Sequence, residues 1–479
     1  MNATPLWVSN DVRAATGGSS RVAWTATGVS IDSRSIAPGD LFVAIRGPSF
    51  DGHDFVAAAL ANGAAVAVVA RVPEGISQDA PLLVVDDTMA ALQALGRGAR
   101  SRTAARVIGV TGSVGKTSVK EALRIVLTAQ GETFATTGNL NNHWGLPLSL
   151  ARLPRESAYA ILEMGMNHPG ELGPLSRLAC PHVAVITTVA AVHRGNFESL
   201  EAIADAKAEI LTGLAENGVA VLNRDNAFYA RLAVAARQAS VDRVISFGHD
   251  AAADVRLISS DLDAAGASVR AELAGTVVQY RVNCPGAHWV ENSLCVLAAC
   301  LAAGADVSRA AQAMDTVSPL RGRGEITPIR LADGGEFLLI DESYNASPAS
   351  MCAAFEVLAR TAYGTNRRRV AVLGEMLELG EDSESLHLGL AGPLQEHGAD
   401  LVMTTGSHMS KLLNVLPTEM QGGHGRDSEA LAPILVDAVR AGDVVMVKGS
   451  AGSRMGIVID ALKALDRTPA EHQRRASGR

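Results

Sequence analysis

Aromatic residues are scarce in this sequence. Phe, Trp and Tyr make up 4% of its 479 residues, so its cores must be filled mainly by Ala, Val, Leu and Ile, which favours helices packed on sheets. Cysteine is also sparse. Cys180, Cys284, Cys295, Cys300 and Cys352 show no CxxC spacing, which excludes a zinc-ligand pattern. In so long a chain they read as reduced, mostly buried thiols. No apolar run is long enough to span a bilayer; residues 294–303 form one of the longest. The opening MNATPLWVSN lacks a basic flank followed by an apolar core, so it does not read as a secretion signal. A basic excess is missing too: the formal net charge is -8, which speaks against a nucleic-acid partner. The expectation is a cytoplasmic protein, most simply a monomer, with no membrane insertion. An acidic total leaves anionic substrates open, because local Lys, Arg and metal ions can dominate a cleft.

A chain of 479 residues exceeds what one core can organise, so two or three domains are expected. The first hundred residues read as a small α/β unit. Strand-length apolar runs lie at 40–45, 64–70 and 82–85, and 55–62 has helix composition ending at Gly63. A second unit opens near Arg106 with a strand at 107–110 and a helix at 119–130. Further strands are expected at 158–163, 183–187 and 218–222, with helix-like segments between them. Such alternation predicts a mostly parallel sheet covered on both faces. Residues 255–282 alternate in short runs and predict an antiparallel flap. Pro319 and the RGRGE stretch mark a boundary. Beyond it, strands at 337–340, 370–373, 401–404 and 443–448 predict a doubly wound α/β unit. The expected divisions are 1–104, 105–319 and 320–466, followed by a polar, disordered tail at 467–479.

The motif that carries chemistry lies between the strand at 107–110 and the helix after it: Gly112, Ser113, Val114, Gly115, Lys116, Thr117 and Ser118. Backbone N–H groups of such a loop point inward, and the following helix N-terminus adds positive potential, so the loop suits phosphates. Lys116 can reach the β- and γ-phosphates of ATP, and the Thr117 hydroxyl suits Mg²⁺. Val110 stands where the common pattern has its first glycine, making this a compact GxxGK[ST] form. Glu163 and His193 each follow an apolar strand. In a parallel sheet both fall at the carboxyl edge, where ligands gather, and both suit a divalent cation. Lys207 lies in a helical stretch and by itself reads as a solvated lysine.

Several stretches together resemble the Mur ligase family: IDSRSIAPGDLFVAIRG (31–47), TGSVGKTSVKE (111–121), TTGNLNNHWGLPLSL (136–150), EMGMNHPGEL (163–172), AKAEIL (206–211), DESYNASPASM (341–351), LGEMLELGEDSESLH (373–387) and KGS (448–450). The resemblance covers nearly the whole chain. It implies α/β architecture in three domains: a small α/β domain for the UDP end of the substrate, a central P-loop ATPase domain with a mostly parallel sheet, and a C-terminal Rossmann-like domain that carries the incoming amino component. It further implies an ATP- and Mg²⁺-dependent ligase of peptidoglycan synthesis. DESYNASP and GEMLELG resemble the member that joins D-alanyl-D-alanine to UDP-MurNAc-tripeptide through an acyl phosphate.

By the same resemblance, Ser33 and Arg34 are uridine-nucleotide contacts, and Asn139 and Asn141 position substrate. Thr117, Glu163 and His193 are Mg²⁺ ligands, with Lys116, Lys207 and His193 in the catalytic set. Lys207 is the lysine that some members carry as a metal-bridging carbamate. Asn292 contacts adenine, Arg323, Asp341 and Asn345 reach the nucleotide on closure, and Lys448 lies near the ligand cleft. The rival readings are another ligase of the family, a protein using ATP only as a switch, and an α/β protein with a decayed site.

Overall fold

The structure, a computed structural model, describes residues 5–77, 79–191, 194–364 and 366–467. It is α/β in three parts, each built on its own sheet. In the first, a four-stranded parallel sheet runs in the order Gly28–Ser30, Asp40–Val43, Val66–Val69, Leu82–Val84. The helix Thr88–Arg102 begins at Asp87, whose carboxylate accepts the Ala90 amide.

The second part holds a nine-stranded sheet. Its parallel portion runs Arg243–Gly248, Val219–Asn223, Val183–Ile186, Arg106–Thr111, Tyr159–Glu163, Thr133–Ala135. Residues 183–186 and 219–222 are fully or almost fully buried, as strands covered on both faces must be. Val110 pairs with both Val185 and Glu163, so the carboxyl ends of three adjacent strands emerge side by side. The helix Lys116–Thr128 leaves the central strand after a glycine in left-handed conformation, three residues earlier than its apolar pattern suggests. The helix Ala287–Ala303 is apolar almost all round and packs on the sheet beside that first helix, against which it also lies.

The antiparallel flap expected at 255–282 is not a separate element. Its strands Val255–Leu262, Ala267–Leu273 and Thr276–Val282 extend the nine-stranded sheet, joined to Arg243–Gly248 through Phe247 and Val255. Alternate residues of Ala267–Leu273 are buried, which supplies one face of the core.

The third part has a six-stranded sheet in the order Glu325–Arg330, Glu336–Glu342, Val444–Lys448, Arg369–Leu373, Leu401–Thr405, Gln421–Gly425. Both of its edge strands escaped the sequence reading. Glu325–Arg330 contains Pro328 and Gln421–Gly425 is three-fifths glycine, compositions tolerated at an edge but poor as strand signals. Arg467, expected in a disordered tail, is held by its amide on the Arg330 carbonyl (2.9 Å), and 468–479 lie outside the described residues.

The first two parts share a core. Leu148 and Ala151 of the helix Gly145–Ala151 pack among Trp7, Val29 and Leu95. Trp7 Nε1 donates to the Ala151 carbonyl (2.8 Å) and Arg152 Nε to the Val29 carbonyl (2.6 Å). None of the described helices is long and apolar enough to cross a membrane. All five cysteines are free thiols; Cys284, Cys295 and Cys300 are buried, and burial pushes their pKa values up.

His182 ties the central strand to its neighbour. Its amide donates to the Val107 carbonyl (2.8 Å), and its Nδ1 accepts the Val107 amide (2.9 Å). Burial, with Arg100 and Arg106 nearby, lowers its pKa from 6.5 to about 4, and protonation destroys the acceptor. The neutral ring therefore supports the fold fully above pH 6.5, and that support is lost as pH falls toward 4. Chemical unfolding across this window is expected to show falling stability in the wild type and a flatter profile in His182→Asn. Parallel profiles would contradict this assignment.

Candidate active site

The site grows from the turn between the strand Arg106–Thr111 and the helix Lys116–Thr128. Gly112 and Gly115 have φ of +152° and +85°, and a Cβ on Gly112 would collide with the Thr187 side chain. The turn is pinned to the loop after the next strand. The Ser113 amide donates to the Thr188 carbonyl (2.8 Å), Ser113 Oγ exchanges hydrogen bonds with the Ala190 backbone, and Thr187 Oγ1 donates to the Val114 carbonyl (2.6 Å). Asn226 in turn holds Thr188 and Val189. These supports carry no motif of their own, and the sequence reading did not find them.

Lys116 folds back over the turn, its Nζ donating to the Gly112 carbonyl at 2.7 Å. Burial lowers its pKa; Glu163 opposes that shift and Arg323 adds to it. Glu163 ends its strand 3% exposed. One carboxylate oxygen accepts the Thr117 hydroxyl (2.9 Å) and the other accepts Asn141 Nδ2 (2.8 Å). Buried Lys120 stands 3.9 Å from the same carboxylate while donating to the Thr136 carbonyl. Thr117 and Glu163 thus present two hard oxygen donors at one point, a set that suits Mg²⁺.

Lys207 is 2% exposed, the reverse of the solvated lysine its helical stretch suggests. Burial pushes its pKa well below the ordinary lysine value, and the charge on Lys116 pushes it further. His193 lies outside the described residues.

One cavity of about 1250 Å³ gathers most of the expected residues. Residues 113–118, Asn141, Glu163, Asn292, Arg323, Asn345 and Lys448 all line it. Asn292 reaches it from the buried helix Ala287–Ala303; its Oδ1 lies 2.8 Å from where a Cβ on Gly115 would stand. Arg323 enters from the third part with its guanidinium 4.1 Å over the Tyr344 ring. Lys448 is already engaged by Glu342 Oε2 and the Asn345 carbonyl, each at 3.0 Å, so its ammonium braces the 342–345 turn. Buried Asp341 accepts the Ser343 hydroxyl and amide in the same turn. Asn139 and Asp341 line an adjoining depression of about 650 Å³. Ser33 and Arg34 line neither; they sit on an exposed turn where Arg34 pairs with Asp32.

Comparison with known proteins follows this geometry. The model of the Mur ligase family catalytic domain matches residues 25–100, the Mur ligase middle domain 110–300, and the Mur ligase glutamate ligase domain 322–451. A UDP-N-acetylmuramoyl-tripeptide–D-alanyl-D-alanine ligase of Escherichia coli (strain K12) is 35% identical over 442 residues, 92% of this chain and 94% of that one. The crystal structure of MurF from Acinetobacter baumannii superposes with a TM-score of 0.84 at 31% identity, covering 97% of this chain and all of that one. MurF ligase from Thermotoga maritima in complex with ADP gives a TM-score of 0.74 at 27% identity, covering 91% and 97%.

Gly115→Ala places a methyl group in left-handed backbone and against Asn292. It is expected to weaken ADP binding by about tenfold or more, since such strain costs roughly 1–2 kcal/mol before the clash is counted. Equilibrium titration with a fluorescent ADP analogue checks this; unchanged affinity would put the nucleotide elsewhere.

Proposed function

Because this chain belongs to the Mur ligase family, we propose that it is the ATP-dependent ligase that joins D-alanyl-D-alanine to UDP-N-acetylmuramoyl-tripeptide. The observation that carries the reading is the single cavity in which the phosphate turn and Glu163 meet Arg323 and Asn345 from the third part. An ATP switch does not need walls from several units; a ligase must bring three reactants to one point.

Hydroxide equivalents leave a free carboxylate poorly, so amide formation needs activation. The tripeptide's terminal carboxylate attacks the γ-phosphorus of ATP and ADP departs. The free amine of D-alanyl-D-alanine then attacks the acyl phosphate carbon, phosphate leaves, and the amine proton is released. The turn amides of 112–118 cradle the phosphates, and Lys116 lies within reach of the β- and γ-phosphates. Arg323 adds a cationic fork opposite. Asn292 faces the adenine end. Glu163 and Thr117, with His193 as a further candidate, are read as the holders of Mg²⁺, which when bound lowers the repulsion between the attacking carboxylate and the triphosphate. Asn141 fixes the orientation of Glu163. Arg323, Asp341 and Asn345 close the site and exclude water that would hydrolyse the acyl phosphate. Ser33 and Arg34 are read as contacts of the UDP end.

Lys207 is read as a carbamate. A depressed pKa leaves a neutral amine, whose nitrogen can attack CO₂ and lose a proton, converting a buried neutral site near Lys116 into an anionic one. Turnover that is insensitive to removal of CO₂, together with full activity in Lys207→Ala, would exclude this. By the same reading the protein works in the cytoplasm as a monomer.

Mixing the protein with Mg-ATP, D-alanyl-D-alanine and the tripeptide is expected to yield the pentapeptide by mass detection. Heavy oxygen placed in the tripeptide carboxyl should appear in the released phosphate. Phosphate release that ignores both peptide substrates would favour the switch. Lys116→Ala is expected to lower turnover by more than ~100-fold, the scale for losing a preorganised charge at the reacting phosphate; a near-normal rate would remove Lys116 from the mechanism.

A further inference from the structure

On the helix Thr88–Arg102, Gln93, Arg97 and Arg100 are spaced by four and three residues and so share one face. Arg100 is already used. Its Nε donates to the Ala179 carbonyl (2.8 Å) and its Nη2 to the Cys180 carbonyl (2.9 Å), clamping the helix against the end of the helix Leu172–Ala179. Arg97 and Gln93, one and two turns back, line the large cavity, and Arg177 lines it from the facing helix. Arg97 is exposed and makes no hydrogen bond or ion pair with any described residue. Arg177 uses one N–H on Thr212 Oγ1 at 3.2 Å. Glu171, an acidic residue of the same cavity, is committed to the Asn167 amide (2.7 Å), the His168 amide (3.2 Å) and the His168 ring. Glu209, whose carboxylate accepts the Gly170 and Gly173 amides, is likewise committed, and neither guanidinium has an ion pair with a carboxylate of the described residues.

We propose that Arg97 and Arg177, with Gln93, form a carboxylate-binding wall for the acceptor peptide, taking a carboxylate other than the one being activated. The proposal rests on the ligase reading above. Glu163, Met166 and Asn167 line the same cavity as this wall. An extended peptide of four residues can span up to about 14 Å, so the acceptor can present to the wall groups one to three residues from the reacting carboxyl. The acceptor's glutamyl residue carries a carboxyl not used in the peptide bond. A diaminopimelate third residue adds another, whereas lysine there adds a cation. Planar guanidinium forks match carboxylates in paired hydrogen bonds and repel an ammonium.

The test uses the full chain and three acceptors: the diaminopimelate tripeptide, the lysine tripeptide, and the lysine tripeptide with its glutamyl carboxyl amidated. Arg97→Gln and Arg177→Gln are expected to raise the KM and calorimetric Kd for the acceptor at least about tenfold, the scale of a lost charge-assisted bond. The kcat and the KM for ATP should stay within about twofold, and Arg97→Lys should recover part of the loss. A penalty confined to the diaminopimelate acceptor assigns the wall to the third residue. A penalty on both unamidated acceptors but not the amidated one assigns it to the glutamyl carboxylate. Unchanged KM and Kd in both variants, or a falling kcat at constant KM, overturns the proposal. Thermal unfolding checks that each variant folds, and Arg177→Gln tests the wall even where Arg97→Gln does not fold. A wild type that binds tripeptide but makes no pentapeptide sinks the ligase reading, while the Kd comparison still decides on the wall.

Discussion

The site depends on one buried carboxylate. Glu163 is shut away from water at the end of its strand, and its two oxygens are taken by Thr117 on the helix after the phosphate turn and Asn141 on a loop before the helix Gly145–Ala151. A carboxylate in that position is costly unless its hydrogen bonds and countercharge are complete. Lys120, beneath it, supplies the charge at 3.9 Å. The bond to Thr117 couples the phosphate turn to the neighbouring strand, and the bond to Asn141 couples both to the loop. Turn, strand and loop therefore hold their relative positions through a single group.

Cations surround that carboxylate. Lys116 is half-buried and Lys207 buried, and each is pushed toward the neutral form by desolvation, with Lys116 also acting on Lys207. Arg323 raises the positive field again from the third part. Such an arrangement is poor for folding and good for binding a polyanion, because an arriving phosphate favours the charged forms that burial opposes. The chain as a whole carries a formal charge of -8, so these cationic groups act locally, around the phosphate turn.

The units are joined by unequal means. The first two share apolar packing through Leu148 and Ala151, fixed by the Trp7 and Arg152 hydrogen bonds. The third meets the cavity through polar loops: the 342–345 turn braced by Lys448, Arg323 stacked on Tyr344, and the Gly195 amide donating to the Glu378 carbonyl at 3.3 Å. Apolar packing resists separation, whereas a polar contact can exchange with water at little cost.

The alternation of strands and helices, the phosphate turn and the family resemblance were legible in the sequence because each is local: an apolar period, a glycine pair, a run of matched residues. The edge strands Glu325–Arg330 and Gln421–Gly425 were not, since pairing to a neighbour rather than composition makes them strands. The same division holds at the site. Sequence alone determined which groups could carry charge or offer an oxygen to a cation: Lys116, Glu163 and Arg323, and Thr117. Only tertiary structure decided that Lys207 is buried beside Lys116, that Lys448 is engaged by Glu342, and that Arg97 and Arg177 face one cavity. A side chain's chemistry is written in its own residue, but its solvation and its partners come from segments far away in the chain, brought near only when the sheets form.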